Sequence, residues 1–182
     1  MAFNINDIRA NLVGGGARSS HFQVIISNPF VPLADIKVPF MVKATSEPTF
    51  TLGKIAVPYF GRTVNIPGDR VWEDWQTTVM NDEDHIVKDA LETWQNTMNA
   101  FRRNIATNGA NPNNYKSTGI INKFSKTGDI IRVIQLNGLW PYIVQSIELD
   151  WATTDTIQEY QVTWAFDDLE IIGGTTGDAG GS

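Results

Sequence analysis

The sequence predicts a mainly β fold, a sandwich or barrel of antiparallel strands with one substantial α-helix packed on it. Over several short segments apolar side chains alternate with polar ones, which is the pattern of strands buried on one face. In one longer segment, about residues 83–103, apolar side chains recur every three or four residues instead, as along one face of a helix. We therefore expect a single helix that covers one side of a small sheet.

The apolar face of the predicted helix consists of Ile86, Val87, Ala90, Leu91, Trp94, Met98 and Phe101. Asn81 or Asp82 is the expected N-cap, because short polar side chains accept hydrogen bonds from the free N–H groups of the first turn. The acidic residues that follow suit the positive end of the helix dipole. Trp94 and Phe101 are expected to anchor the helix, since a buried aromatic side chain removes about 150–250 Å² from water.

Strands and turns are predicted on the N-terminal side of the helix. Residues 21–27 form the first strand. The proline-rich segment that follows is interpreted as a hairpin whose second strand covers about 38–45, since proline is confined to the edges, bulges and turns of sheets. An extended strand is predicted at 54–66, a tight turn at 66–69, where proline precedes glycine, and another strand at 75–80.

On the C-terminal side of the helix, Asn and Gly residues predict a loop at 104–119. Strands at 120–124 and 130–136 are expected to pair through a Gly-Asp turn, before a break at 137–141. The last two predicted strands alternate most clearly. The side chains predicted to face the core from these two strands are Ile147, Leu149, Trp151, Tyr160, Val162, Trp164 and Phe166.

Composition and the chain ends complete the predicted organisation. We expect a flexible arm at 1–18, one β domain at 19–172 and a disordered tail at 173–182, because glycine-rich segments without large apolar side chains do not pack. The 182 residues include no cysteine, which excludes disulfides, zinc–thiolate sites and thiol nucleophiles. The net charge of −6 disfavours tight binding to nucleic acid. No secretory signal or membrane-spanning apolar run is apparent, so the chain itself is not expected to enter a membrane.

No group of residues predicts catalysis, a metal site or a cofactor. The run Asp82–His85 offers oxygen and imidazole ligands, but it lacks the spacing of zinc and calcium motifs, and a charged helix N-terminus explains its carboxylates. His21 has no acidic neighbour in sequence. Asp167 and Asp168 are adjacent at a strand end and point to opposite faces, which makes them a poor acid–base pair. We predict that the chain is not an enzyme.

Three segments together resemble the tail tube proteins of T4-like contractile-tailed bacteriophages. They are IPGDRVWEDWQTTVMNDEDH at 66–85, GLWPYIV at 138–144 and IELDWATTDTIQEYQVTWAFD at 147–167. Their order matches, as do the helix and the Asn/Gly-rich loop between them, so the resemblance covers roughly residues 20–170. Such proteins are related to the inner-tube proteins of pyocins and type VI secretion systems.

The resemblance implies a structural virion protein whose hexameric rings stack into the inner tube of a contractile tail, a conduit for genomic DNA. Its implied partners are further copies of itself, the sheath protein, and the baseplate, tape-measure and tail-terminator proteins. DNA is expected to pass through the lumen without specific binding. The resemblance also implies assembly in the host bacterial cytoplasm and a final location in the virion tail.

The alternating strands and the resemblance together suggest two sets of functional residues. The polar side chains predicted to line the lumen are Glu148, Asp150, Gln161 and Thr163. The candidate contacts between subunits or rings are Tyr59, Phe60, Arg62, Asp69, Arg70, Trp72 and Trp140. The alternatives are a pyocin-like or secretion-type tube, a baseplate protein that initiates the tube, and, from another class, a carbohydrate-binding β-sandwich. A hydrolase that uses the Asp82–His85 run is the least favoured alternative.

Overall fold

The computed structural model describes residues 5–12, 16–107 and 109–174. Its elements are α1 (Ile5–Asn11), β1 (Phe22–Ile26), α2 (Pro32–Met41), β2 (Val42–Thr45), β3 (Phe50–Tyr59), β4 (Arg62–Trp72), β5 (Trp75–Met80), α3 (Ile86–Met98), α4 (Pro112–Tyr115), β6 (Ser117–Phe124), β7 (Ile130–Val144), β8 (Glu159–Ala165) and β9 (Asp168–Gly173). The predicted fold class is confirmed, because antiparallel strands dominate and α3 is the longest helix in this part of the chain.

A seven-stranded antiparallel sheet is organised around the long strand β7. The order is β1-β6-β7-β8-β5-β2, and β9 also pairs with β7. The first part of β7 pairs with β6 and β9, and its last residues pair with β8. The break predicted at 137–141 is wrong, because the strand continues through it with shifts in register. Gly138 permits this course with a φ of 68°, at a position where a Cβ would lie within 2.6 Å of the Asp167 carboxyl carbon.

The core lies between the sheet and the two helices α2 and α3, and strands β1, β2, β5, β6, β7 and β8 all contribute buried side chains to it. Three buried tryptophans pack together, with Trp164 in the middle. Its ring centroid lies 6.2 Å from that of Trp75 and 6.1 Å from that of Trp94. The indole of Trp164 donates to the Thr77 hydroxyl at 2.9 Å, and that of Trp94 donates to the Tyr115 carbonyl at 2.8 Å. Both polar atoms are thereby satisfied in an apolar setting.

The helix prediction is confirmed in position and wrong in detail at both ends. Trp94 is fully buried, but α3 ends at Met98, and Phe101 remains 70% exposed in the turn that follows. The N-cap is His85, with a φ of 51° and no side-chain capping bond. Asp84 instead accepts a hydrogen bond from the Ile86 N–H at 3.2 Å. The helix is therefore anchored by Trp94 and not by Phe101.

The proline-rich segment forms a helix where a hairpin was predicted. Pro32 occupies the first turn of α2, where its missing N–H leaves no hydrogen bond unmade. Ala34 and Val38 are buried and hold the helix against β1 and β2. Only the last part of the predicted strand at 38–45 is correct, as β2. Packing of α2 between the two end strands overrides the low helix propensity of proline.

Strands β3 and β4, of 10 and 11 residues, form a separate hairpin. The turn predicted at 66–69 is wrong, because these residues lie inside β4. Pro67 pairs opposite Lys54 next to a shift in register, a setting in which a strand tolerates proline. The chain reverses instead at Phe60 and Gly61.

The segment at 147–151 is not a strand, so that prediction is wrong. Residues 145–158 form a loop between β7 and β8, in which Leu149 is 81% exposed and Trp151 is completely exposed. The alternation predicted for β8 is confirmed, since Tyr160, Val162 and Trp164 face the core. The strand β9 was not predicted.

The two predicted mobile ends lie partly outside the described residues. Within the arm assigned to 1–18, the structure describes α1 but not residues 1–4 or 13–15. Of the tail assigned to 173–182, Gly173 closes β9, and residues 175–182 are outside the described part. Among the described helices, each is too short or too polar to cross a bilayer.

Candidate assembly surfaces

The hairpin of β3 and β4 projects from one end of the sheet. It leaves the sheet where β2 ends and returns where β5 begins, so its base lies beside Thr45 and Trp75. Its two-residue turn consists of Phe60 and Gly61, with φ values of 42° and 79°. Two successive positive φ angles are typical of the tight turn whose twist matches a β-hairpin. Beyond its base the hairpin contacts no other described element extensively.

Apolar side chains are exposed on both faces of this hairpin. The exposed apolar residues are Phe50, Leu52, Ile55, Val57, Tyr59, Phe60, Val64, Ile66 and Val71. Phe60 at the tip is 91% exposed, and its ring lies edge-on to Tyr59 at 4.7 Å. A two-stranded hairpin is marginally stable by itself in water, and exposed apolar patches of this extent mark sites of association.

The base of the hairpin is fixed to the sheet by aromatic contacts. Trp72 packs on Phe166, with ring centroids 5.8 Å apart, and on Phe50 at 5.4 Å. The Arg70 guanidinium lies over the Phe50 ring at 4.5 Å. A hydrogen bond of 3.1 Å from the Glu73 N–H to the Thr49 carbonyl closes the base. The hairpin is thus held firmly at one end and projects freely at the other.

A second projecting segment, the loop 145–158, stands at the opposite end of the sheet. Strand pairing defines the two ends, because Trp75 pairs with Trp164 near the hairpin and Met80 pairs with Glu159 near the loop. The loop is tied at its return by two hydrogen bonds from Asn81 to Gln158. Between the loop and the neighbouring strands lies an open groove of ≈ 920 Å³.

The loop carries apolar and acidic side chains side by side. Leu149, Trp151 and Ile157 are 81%, 102% and 63% exposed. Asp150 shapes the loop by accepting hydrogen bonds from the Ala152 N–H at 3.0 Å and the Thr153 hydroxyl at 3.3 Å. The loop therefore has internal order, yet it presents its largest apolar side chains to solvent.

The four residues predicted to line a lumen fall into two groups. Gln161 and Thr163 lie on β8, on the face opposite the buried Tyr160, Val162 and Trp164. Gln161 is exposed, whereas Thr163 is only 7% exposed and pairs with Gln76 on one side and Ile143 on the other. Glu148 and Asp150 lie in the loop and not on this face. The structure thus brings together only two of the four on one polar face of the sheet.

An apolar stripe lies on the outer side of α2, next to an unpaired strand edge. Leu33, Ile36 and Phe40 are 59%, 68% and 70% exposed, although they belong to the helix that closes the fold. Their spacing places them along one face of the helix. Among the described strands, β1 and β2 end the sheet and have no partner on their outer edges. Such edges pair readily with another chain.

Charge differs between the two ends of the sheet. The hairpin carries Lys54, Arg62 and Arg70 against one carboxylate, Asp69. The loop 145–158 carries three carboxylates and no cation. The helix α3 runs from the loop end of the sheet towards the hairpin end. Lys88 near its start lies 5.9 Å from the Tyr160 ring, and Trp94 further along packs on Trp164. The turn that follows α3, with exposed Arg102 and Arg103, therefore lies at the hairpin end.

The acidic turn before α3 is partly neutralised. Lys37 of α2 forms ion pairs with Asp82 and Asp84. These contacts raise the pKa of Lys37, and the hydrogen bonds from Lys37 and from the Ile86 N–H lower the pKa of Asp84. Both residues are solvent-exposed, so the pairing serves to orient α2 relative to α3 and contributes little energy.

The candidate catalytic residues do not form a site in the described structure. Asp82 and Asp84 bind Lys37, and His85 occupies the helix N-cap. Asp167 forms an ion pair with Lys116 at 2.6 Å. Among the described residues, no group of three or more His, Asp or Glu side chains is placed to hold a metal ion.

The predicted interface residues are spread over three places. Tyr59, Phe60 and Arg62 lie at the exposed tip of the hairpin, and Asp69, Arg70 and Trp72 lie in β4 towards its base. Trp140 lies elsewhere, half-buried between Tyr115 and Tyr142. The rest of the apolar hairpin and the exposed stripe of α2 were not predicted from the sequence. The alternation around a Phe-Gly pair was the available signal for the hairpin.

The comparisons with known proteins agree with one another. A family model described as phage tail tube protein matches residues 17–171. The chain is 35% identical over 165 residues to tail tube protein gp19 of Enterobacteria phage T4, which covers 90% of this chain and 97% of that protein. It is 30% identical over 161 residues to the tail tube protein of Serratia phage KSP90, covering 86% and 90%.

Solved structures share the fold at low identity. The sheath-tube complex of an extracellular contractile injection system contains a chain with a TM-score of 0.58 and 14% identity, covering 94% of this chain and 99% of that one. The tube-terminating cap of the anti-feeding prophage gives 0.63 and 17%, covering 86% and 90%. At these identities the likeness concerns the fold alone.

Proposed function

This chain belongs to the phage tail tube protein family and is a component of a virion tail, and we propose that its copies form hexameric rings stacked into the inner tube of a contractile tail. One observation from the structure carries the proposal. The β3–β4 hairpin exposes apolar side chains on both faces and is anchored to its own chain only at the base. A second copy is the partner that a self-assembling tube provides for such a surface.

Closure into a ring is supported by the sides of the subunit. The outer edge of β2 is unpaired among the described strands, and the exposed stripe of α2 lies beside it. Side-by-side association covers both features at once, which removes an edge that otherwise invites aggregation. The proposed count of six subunits per ring comes from the family resemblance. The geometry of the subunit supports side-by-side closure into a ring but does not specify the number of subunits.

The polar face of β8 is the proposed wall of the channel. Gln161 and Thr163 point away from α3, so a ring with its helices outside turns this face towards the lumen, with exposed Gln161 lining it and Thr163, only 7% exposed, covered within the wall. We place Glu148 and Asp150 of the loop at the junction between successive rings, next to the channel. From residue 133 to the C-terminus the sequence contains no Lys or Arg. A wall of this composition repels phosphates, so DNA slides through without specific binding.

The role we propose is structural and without catalysis. The sheath protein is the proposed partner on the outer surface, and baseplate, tape-measure and tail-terminator proteins are the proposed partners at the ends and in the lumen.

The arm at 1–18 and the domain at 19–172 are proposed as one assembling unit, since Ile5, Ile8 and Leu12 of the arm are exposed at helical spacing. A chain that begins at Ser19 is expected to form rings but fewer tubes by electron microscopy. Tube yields equal to those of the full chain would show that the arm is not needed.

Negative-stain electron microscopy of the concentrated protein tests the proposal. The full chain is expected to form rings and hollow tubes. Replacing Tyr59 and Phe60 with Ser is expected to leave the thermal unfolding midpoint unchanged and to abolish tubes, because these side chains are 67% and 91% exposed in the subunit. Ile130→Ser is the control, since Ile130 is 43% exposed in another part of the surface. If the full chain remained monomeric even when it was mixed with sheath and baseplate proteins, the proposal would be contradicted.

A further inference from the structure

The exposed apolar stripe of α2 has a counterpart of the same spacing on α1. Each stripe has three side chains, at positions i, i+3 and i+7 of its helix: Leu33, Ile36 and Phe40 in the α2 stripe, and Ile5, Ile8 and Leu12 in the α1 stripe. We propose that α1 of one copy packs on α2 of a second copy, stripe against stripe. The proposal rests on the self-assembly proposed above and adds the segment that covers α2.

The α1 stripe is not covered within its own subunit. Ile5, Ile8 and Leu12 are 74%, 59% and 45% exposed. Leu12 directly follows the last residue of the helix, and its N–H donates to the Ile8 carbonyl at 3.0 Å, so the three side chains share one face. α1 contacts no other described element extensively. A helix of this length is marginal in water by itself, so burial of its apolar face against a partner is what stabilises it.

The outer face of α2 is suited to an apolar partner, because the two charged residues of this helix are held by their own chain. Asp35 accepts a hydrogen bond from the Asn28 N–H at 2.7 Å. Lys37 forms ion pairs with Asp82 and Asp84. Neither charge is therefore left to pair with another molecule, and the α2 stripe offers only apolar surface.

The two stripes match in length and in spacing. In each, the first and last side chains are separated by a rise of about 10 Å along the helix axis. Apolar side chains at i, i+3 and i+7 have the spacing at which two helices interlock, with the side chains of one filling the gaps between those of the other. Packing of α1 on α2 therefore covers all six side chains at once.

The exposures of the two stripes indicate a contact between copies and not within one chain. Both stripes are exposed in the same subunit, so α1 does not cover the α2 of its own chain. Nine residues separate Leu12 from the start of β1 at Phe22, and fully extended they reach at most about 35 Å, which allows α1 to reach a neighbour. The α2 stripe lies beside the unpaired edge of β2, where the proposed side-by-side association brings a second copy. The contact joins unlike surfaces, so it repeats from copy to copy.

Thiol cross-linking tests the contact against a background without native cysteine. Ile8→Cys chains are mixed with Ile36→Cys chains before assembly and treated with a short bismaleimide, so that only a link between chains joins the two positions. We expect mass spectrometry to identify the 8–36 link in tubes. The matched control replaces Ile36→Cys with Ile130→Cys, an isoleucine that is 43% exposed at the start of β7, and should give no link to position 8. Tubes without the 8–36 link would overturn this contact and leave the proposed function intact.

A dilute, unassembled chain that carries both Ile8→Cys and Ile36→Cys separates the two possible geometries. We expect no link within this chain. A link within the dilute chain, together with none between chains in tubes, would show that α1 covers its own α2 and would overturn the contact between copies.

Serine substitutions on the two stripes provide the second arm. Ile8→Ser with Leu12→Ser, and separately Leu33→Ser with Ile36→Ser, are each expected to raise the protein concentration needed for tube formation about tenfold, the effect of one interface hot spot. The thermal unfolding midpoint should not change, because all four side chains are exposed. The chain with all four substitutions is expected to lose no more than either pair, since both pairs remove the same contact.

If the losses of the two pairs were additive, the stripes would have different partners and the contact would be overturned. Failure of the unmodified chain to form any tube would overturn the proposed function and this contact with it.

Discussion

Tryptophan has two separate roles in this chain. Trp75, Trp94 and Trp164 are almost completely buried and form the centre of the core, where their N–H groups have acceptors. Trp151 lies fully in solvent on a loop. A buried indole lowers the free energy of the folded subunit. An exposed indole contributes its burial free energy only when another molecule covers it.

The contrast between Trp94 and Phe101 gives a stability test at the residue scale. Trp94→Ala is expected to lower the free energy of unfolding by about 3–5 kcal/mol, because it leaves a cavity in the core. Phe101→Ala is expected to change it by less than about 0.5 kcal/mol, since this ring is 70% exposed. Urea unfolding of the two variants measures both values. Equal losses would mean that the Phe101 ring is packed after all.

Tyr160 is a buried residue whose hydroxyl has no hydrogen-bond partner in the described structure. Burial raises the pKa of this phenol, and the nearby carboxylates of Glu92 and Asp89 raise it further. Tyr160→Phe is therefore expected to raise the free energy of unfolding by about 1 kcal/mol, because it removes an unsatisfied polar group. The control is Tyr142→Phe, at a side chain that is 52% exposed. A loss of stability in Tyr160→Phe would show that the hydroxyl has a partner.

At the scale of elements, the hairpin depends on the conformation of its two turn residues. Gly61 has open space around it, but its φ of 79° is unfavourable for side chains branched at Cβ. Gly61→Val is expected to remove hydrogen-exchange protection from the tip and to slow tube formation. Gly61→Asn is the matched control and is expected to keep both, because Asn tolerates this region. Normal assembly of Gly61→Val would show that the tip turn is not needed.

The sequence predicts those elements whose apolar side chains are buried within their own subunit. α3, β5 and β8 have one buried and one polar face within a single subunit, so their periodicity is visible in the sequence. The segment 147–151 has the same alternation but is a loop, because its apolar side chains have no partner inside the chain. The helix α2 was missed because burial of Ala34 and Val38, and not its proline-containing sequence, stabilises it.

Across the whole molecule, the resemblance identified the family and the structure located the surfaces. Alternation correctly placed Gln161 on the face away from the core, and it misplaced Glu148 and Asp150 because their strand does not form. The apolar extent of the hairpin was hidden by Pro67 and Gly68, which indicate a turn in sequence and accommodate an irregular pairing in the fold. Exposed surfaces such as 147–151 show the same alternation as buried strands, so the sequence pattern alone does not separate an internal core from a surface that another chain covers.

The account concerns a subunit whose two ends are different and complementary. Its hairpin carries exposed apolar side chains and three cations against one carboxylate, its loop 145–158 carries exposed apolar side chains and three carboxylates, and the sheet between them offers a polar face and an unpaired edge. These features together favour association of further copies through unlike surfaces, which gives rings where the rotation closes and open stacks where it does not.

Cryo-electron microscopy of tubes assembled from the purified chain is the most direct test of this account. The expected result is a hollow, six-fold tube with Gln161 on the channel wall, α3 outside, and each hairpin covered by another copy of the chain. A channel wall formed by α3, or hairpins that fold back on their own subunit, would contradict it.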